Sequence, residues 1–200
     1  MTSNSKAIGY LSCAVQVILH LLLSYTVFLF ARAVYLAENW SVFSDVFSHN
    51  SLGRLLLGCW MFDTSAVMYT VCLVVLLIAL LPAKWNKAVS IVFTAITSLT
   101  LVMNLGDAVY FQYTGRRTTM SVFSEFSNGG NHLKILGAET VRHWYLFLLG
   151  FIAIYAVWRC SRLIMKATET TVKPRWADIA SRLLTLLAFV PFCIAGMRGG

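Results

Sequence analysis

Hydrophobic residues in this chain run in long continuous blocks rather than in alternation. Five blocks stand out, over about 8–31, 55–81, 88–106, 141–158 and 179–197. A bilayer's hydrocarbon core is roughly 30 Å thick, so a helix needs about 20 apolar residues to cross it. Inside lipid every backbone amide must bond within the protein, which leaves only helices or closed barrels. Barrel strands would alternate apolar and polar positions. These blocks do not alternate, so they predict helices. The expected fold is all-α: one polytopic membrane domain over 1–200 with five transmembrane helices.

Polar positions within the blocks refine this picture. In the third block Ser90, Thr94, Thr97, Thr100, Asn104 and Asp107 fall within an arc of roughly 140° at about 100° per residue. Polar groups in a membrane helix face other helices, so this stripe turns toward the bundle centre. Gln16 and His20 sit near the middle of the first block. Hydrogen bonding across a helix interface is the plain reading, and a functional intramembrane histidine the sharper one. Pro82 ends the second block, and Lys84, Trp85 and Lys87 anchor a tight turn. Helices two and three are therefore expected to form an antiparallel hairpin.

The connecting segments carry their own signals. Residues 32–54 read as a loop whose Trp40, Phe43 and Phe47 rest on the membrane surface. In 108–140, Met120, Phe123 and Phe126 recur at steps of three among Ser121, Ser124 and Glu125. That pattern predicts a short amphipathic helix in the interface. Asn128-Gly129-Gly130-Asn131 would break it. Trp144, Tyr145 and Trp158 frame the fourth block as a boundary belt would.

Composition agrees with a lipid solvent. Charged residues make up 12% of the chain, against about 25% in a soluble domain. The net charge is +8, but the placement of the charges says more than their sum. With the N-terminus inside, the inner pieces 1–7, 82–87 and 159–182 hold nine Lys and Arg against two acidic residues, while the outer pieces hold seven against six. Lys and Arg mark cytoplasmic loops, so the expected topology is N-inside and C-outside. The expected partners are the bilayer and its headgroups, not nucleic acid. The first block exceeds the 7–15 residues of a signal peptide's central region, so it is read as retained. The cysteines 13, 59, 72, 160 and 193 form no C-x-x-C pair and are read as small apolar residues.

Asp63 is the strongest isolated polar signal, eight residues into the second block, or about 12 Å along a helix. A carboxylate in lipid requires a partner, and Arg54, Arg116, Arg117 and Arg198 are the expected candidates. Asn104, Asp107 and Tyr110 end the third helix on the same side, shortly before Arg116 and Arg117. Paired guanidinium forks suit phosphate, because each binds two oxygens at once. Asp63, Asn104, Asp107, Tyr110, Arg116, Arg117 and Arg198 thus form a candidate outer polar site for a phospholipid headgroup. No Gly-rich phosphate loop, H-E-x-x-H or G-x-S-x-G occurs. His49 lacks a second ligand at metal spacing, and His132 and His143 lack clustered carboxylates. No catalytic residue and no metal ligand is assigned, and no cofactor is expected in this chain.

The stretch Met103-Asn104-Leu105-Gly106-Asp107-Ala108-Val109-Tyr110-Phe111, followed by Arg116-Arg117-Thr118-Thr119, resembles the membrane region of lipoteichoic acid synthase-like phosphoglycerol transferases. That family belongs to the alkaline phosphatase/sulfatase superfamily. Trp60-Met61-Phe62-Asp63, leading into a long helix that ends at Pro82, is similar to the second helix of that region, and Arg198-Gly199-Gly200 to the start of its linker. The resemblance implies a bacterial cytoplasmic membrane and an anchor that presents lipid to an extracytoplasmic sulfatase-like domain, in cis or in trans. The family's threonine nucleophile and divalent metal lie in that domain, which the 200 residues do not contain. By this reading the chain is not catalytic alone. Two rival readings are a small transporter or channel subunit and a non-catalytic scaffold.

Overall fold

The computed structural model describes residues 3–48, 52–115, 138, 141–168 and 175–198. Among them it forms the helices α1 (Ser3–Glu38), α2 (Trp40–Ser48), α3 (Leu52–Leu80), α4 (Asn86–Thr114), α5 (Trp144–Ala167) and α6 (Arg175–Met197). All except the short α2 contain a stretch long and apolar enough to cross a membrane: Ser12–Glu38, Leu57–Leu80, Asn86–Gln112, Trp144–Ala167 and Asp178–Met197. The expected all-α architecture is the one found, and the chain is a polytopic membrane protein in contact with lipid.

Helix α1 forms the axis of the bundle. It touches α3, α4, α5 and α6, while α3 pairs mainly with α6 and α4 mainly with α5. Its buried positions explain this role. Ser12, Gln16, His20 and Ser24 make a polar ridge at steps of four, and Val27, Phe28, Ala31 and Tyr35 continue the same face in apolar form. Steps of three and four keep side chains on one helix face. Helix α3 contributes an almost wholly apolar stripe, with Val67, Met68, Val71, Val74, Val75 and Ile78 all buried. The outward faces of α5 and α6 are the least covered, and Phe151, Ile152, Leu183, Leu184 and Leu187 stay exposed on them. In lipid such side chains are at home.

Contacts fix the directions of the helices. Helix α4 runs parallel to α1, since His20 meets Phe93 at one end and Asn39 meets Ala108 at the other. Helices α3 and α5 oppose α1, and α6, antiparallel to α3, runs parallel to α1. One end of the bundle therefore gathers the end of α1, the starts of α3 and α5, and the ends of α4 and α6. The other end holds Lys84, Lys87, Arg159, Arg162, Lys166 and Arg182. The exposed tryptophans divide between the two, with Trp40, Trp60 and Trp144 at the first end and Trp85, Trp158 and Trp176 at the basic end. Indole rings favour both membrane–water boundaries, so the two sets mark where the lipid begins and stops.

Several helices outrun their apolar blocks. Helix α1 continues to Glu38, α4 to Thr114 and α5 to Ala167, where the hydrophobic pattern stopped at 31, 106 and 158. Residues 40–48, expected as loop, form α2. The physical reason is that the polar residues beyond each block find partners in neighbouring helices, so the backbone has no cause to unwind. Phe43 of α2 stacks on Phe111 at 5.8 Å and approaches Tyr35 at 6.0 Å, so it packs against the bundle. The amphipathic helix expected around 120–126 lies outside the described residues, as do His49 and His132.

Pro82 stops α3 as expected, and the structure shows how the cost is met. Proline has no N–H, so the carbonyl of Ile78 loses its helical donor. The Arg182 guanidinium on α6 donates to that carbonyl at 2.8 Å and also to the carbonyl of Leu81. A cation at a helix C-terminus also complements its dipole. Asp178 holds the same guanidinium in place at 2.8 Å. At the far end of α4, Gly115 adopts φ 64° and its N–H returns to the Phe111 carbonyl. Glycine takes that left-handed conformation without strain.

Candidate functional site

The less basic end of the bundle carries a charged and polar layer. Arg32 of α1 and Asp63 of α3 form a two-pronged ion pair: Nη2 donates to Oδ1 at 2.5 Å and Nε to Oδ2 at 3.2 Å. Both side chains are 15% exposed. The Arg32 guanidinium also stands 5.8 Å from the Tyr35 ring centre. Asp63 takes two of the five N–H donors that a guanidinium carries. One turn and a half further along α1, Glu38 accepts hydrogen bonds from the Tyr145 hydroxyl at 2.8 Å to each carboxylate oxygen. Gln112 of α4 donates to the Glu38 backbone carbonyl at 3.1 Å. The next residue, Asn39, donates to the carbonyls of Tyr35 and Ala108, which ties α1 to α4.

The residues expected at this end are distributed around α1. Asp63 lies on its α3 side, and among the described residues its partner is Arg32 rather than Arg54 or Arg198. The apolar pattern puts Arg32 in a loop, yet α1 carries it past the end of its apolar block into the layer of Asp63. Asn104, Asp107 and Tyr110 lie on the α4 side; Asp107 is buried, the other two half-buried, and Asn104 donates to the Thr100 carbonyl at 2.9 Å. Arg198 is exposed at the tip of α6. The preceding carbonyl, of Met197, accepts from Ser65 on α3 at 2.9 Å, which brings the tip of α6 to the Asp63 turn. Arg116 and Arg117 lie outside the described residues. The apolar pattern alone does not mark Arg32, Glu38, Gln112 and Tyr145 as members of the layer. Their available signal was the spacing Arg32, Tyr35, Glu38, which continues one face of a helix beyond the apolar run.

A second polar layer lies near the basic end. His20 is 0% exposed, and so are Ser90 and Ser161. The His20 Nδ1 donates to the Gln16 carbonyl at 2.7 Å, and Nε2 lies 3.1 Å from the Ser161 hydroxyl. The Ser161 and Ser90 hydroxyls are 2.9 Å apart, so α1, α5 and α4 are joined in one chain of hydrogen bonds. A neutral ring with its proton on Nδ1 accepts at Nε2, so Ser161 donates to it and Ser90 donates to Ser161. A doubly protonated ring reverses the chain. Phe93 closes the site edge-on at 4.6 Å. A serine against a histidine is the beginning of a nucleophile–base pair, invisible in the sequence because 141 residues separate the two. Complete burial keeps a substrate away from it, so the chain can hold or pass a proton but cannot attack.

Between His20 and Glu38 the helix climbs about 27 Å at ~1.5 Å per residue, roughly one hydrocarbon thickness. The intervening core is largely apolar, with Val27, Phe28, Ala31, Leu101, Leu105 and Val157 buried. Among the described residues no group of three His, Cys, Asp or Glu is placed to hold a metal ion. Comparison with protein-family models, with curated proteins and with solved structures finds no match to this chain.

Proposed function

We propose that this chain is the membrane-embedded part of a sulfatase-like, phosphoglycerol-type headgroup transferase. It anchors the enzyme and presents phospholipid at its less basic end, without catalysing the reaction itself. One observation carries this reading: the Arg32–Asp63 pair is held between helices at the level of the boundary tryptophans, partly exposed, with donors on Arg32 beyond the two that Asp63 takes. A lipid phosphate approaching that end meets a pre-oriented guanidinium. The basic end faces the cytoplasm in this reading, as the distribution of Lys and Arg favours.

The test is retention of lipid by the purified chain in detergent, read by native mass spectrometry. Phosphatidylglycerol is expected to be retained over phosphatidylcholine. A charge-assisted hydrogen bond contributes about 1.5–3 kcal/mol, so replacing the pair by Arg32→Gln together with Asp63→Asn should lower that preference about tenfold or more. This double substitution keeps a hydrogen bond while removing both charges. A preference that survives it rejects the headgroup site.

The buried His20–Ser161–Ser90 chain favours a second reading, a small transporter or channel subunit, because it sets polar groups near the opposite membrane boundary. That reading requires a proton or ion flux in liposomes that disappears in Asp63→Asn.

A further inference from the structure

The seam between α3 and α6 is rich in sulfur. Met68 and Cys72 stand four residues apart on α3, and Cys193 and Met197 four apart on α6. Residues at that spacing share one helix face. Three contacts fix the antiparallel register: Ser65 donates to the Met197 carbonyl at 2.9 Å, Met68 packs on Gly196, and Arg182 reaches the Ile78 carbonyl at 2.8 Å. At Gly196 an added Cβ would stand 2.5 Å from Met68 Cγ and 3.3 Å from its sulfur. The missing side chain is what lets the thioether lie against the α6 backbone. The same register sets Cys72 of α3 opposite Cys193 of α6. Met68 and Cys193 are buried, and Cys72 and Met197 half-buried against the core. Two thiols and a thioether thus share about one helical turn of the seam, with a second thioether one turn from Cys193.

We infer that this cluster binds a soft monovalent metal ion of the copper(I) or silver(I) type through Cys72, Cys193 and Met68. Thiolate and thioether sulfur select such ions. Zinc instead takes Cys, His and carboxylate ligands, usually four of them in a structural site, and no third group of that kind accompanies the two cysteines among the described residues. Charge favours the same ion. Binding displaces one proton from one thiol, and a monovalent cation with one thiolate leaves no net charge in an apolar seam. The second thiol and the thioether then act as neutral donors. The seam shares no residue with the Arg32–Asp63 pair, so the site stands apart from the lipid-headgroup reading.

The experiment uses the purified full chain in detergent, reduced and under anaerobic conditions, titrated with copper(I) against a chromogenic chelator. One ion per chain is expected, with only sulfur neighbours in the X-ray absorption spectrum. Cys72→Ser together with Cys193→Ser should abolish binding. The triple variant Cys13→Ser, Cys59→Ser and Cys160→Ser should keep it. Met68→Leu, which preserves the packing volume, should weaken binding about tenfold, or ~1.4 kcal/mol. Absence of binding by the reduced chain overturns the assignment. So does binding that survives in the Cys72/Cys193 variant, or a spectrum with nitrogen or oxygen ligands. If that double variant does not fold, the spectrum of the unmodified chain and the Met68→Leu titration decide the matter.

Discussion

Arg32 and Asp63 meet as charged groups, whereas His20, Ser161 and Ser90 can meet as neutral ones. Both layers join helices across the bundle, yet their settings differ. The Arg32–Asp63 pair is 15% exposed and lies near Trp60 at the boundary, where headgroups and water reduce the cost of charge. The His20 chain has no exposed surface, and there a charge would have to be matched entirely by protein. The apolar core between them separates the two environments. The charged end can therefore exchange partners with what lies outside, while the histidine layer is suited to holding α1, α4 and α5 in register. Of the two layers, only the first has a polar side chain open to what lies outside the bundle.

The largest expected effect follows from breaking the ion pair on one side. Asp63→Ala leaves the Arg32 guanidinium half-buried without its counter-charge and should cost about 3 kcal/mol, read as a fall in melting temperature in detergent. Arg32→Met together with Asp63→Leu should recover most of that loss, because removing both charges also removes the need for pairing. A cost near zero for Asp63→Ala would show that solvent already screens the pair, and the contrast between the two layers would weaken.

A smaller effect is expected within the lipid. His20→Leu keeps the volume but deletes the link from α1 to Ser161, while Ser161 and Ser90 still bond to each other. Interhelical hydrogen bonds in membranes are worth about 0.6 kcal/mol on average and up to about 1.7, so the expected loss lies in that range. His20→Ala adds a cavity and should cost more. If His20→Leu exceeded Asp63→Ala, the interior layer would be the one carrying the larger electrostatic load.

Much of the fold was legible because lipid imposes a simple rule. Long apolar blocks must be helices, and the Pro82 stop, the tight turn beyond it and the five spans follow from that alone. The polar stripe on α4 was legible for the same reason: Ser90, Thr97 and Asp107 are indeed buried. What the apolar pattern concealed was where the helices end. Arg32 and Glu38 look like loop residues until Asp63 and Tyr145 are brought beside them, and those partners come from distant parts of the chain. The Ser12–Gln16–His20–Ser24 ridge was only half recognised, because two small hydroxyl residues hardly disturb a hydrophobic block. The Ser161–His20 contact and the placement of Cys72 opposite Cys193 depend on helix register. No local spacing encodes that.

The finest distinction between the two layers can be drawn at Glu38. Tyr145 donates to both of its carboxylate oxygens at 2.8 Å, Gln112 lies 3.4 Å from one of them, and Trp144 beside it is exposed. A carboxylate at such a boundary can replace a lost donor with water or a headgroup. Tyr145→Phe should therefore cost only about 0.6 kcal/mol, and a double-mutant cycle with Glu38→Gln should return a coupling of similar size. A coupling above about 2 kcal/mol would mean that Glu38 is desolvated as fully as a group in the bundle interior. The charged end would then be a sealed lock like the histidine layer, and the accessible headgroup site would have to be sought in Arg32 and Asp63 alone.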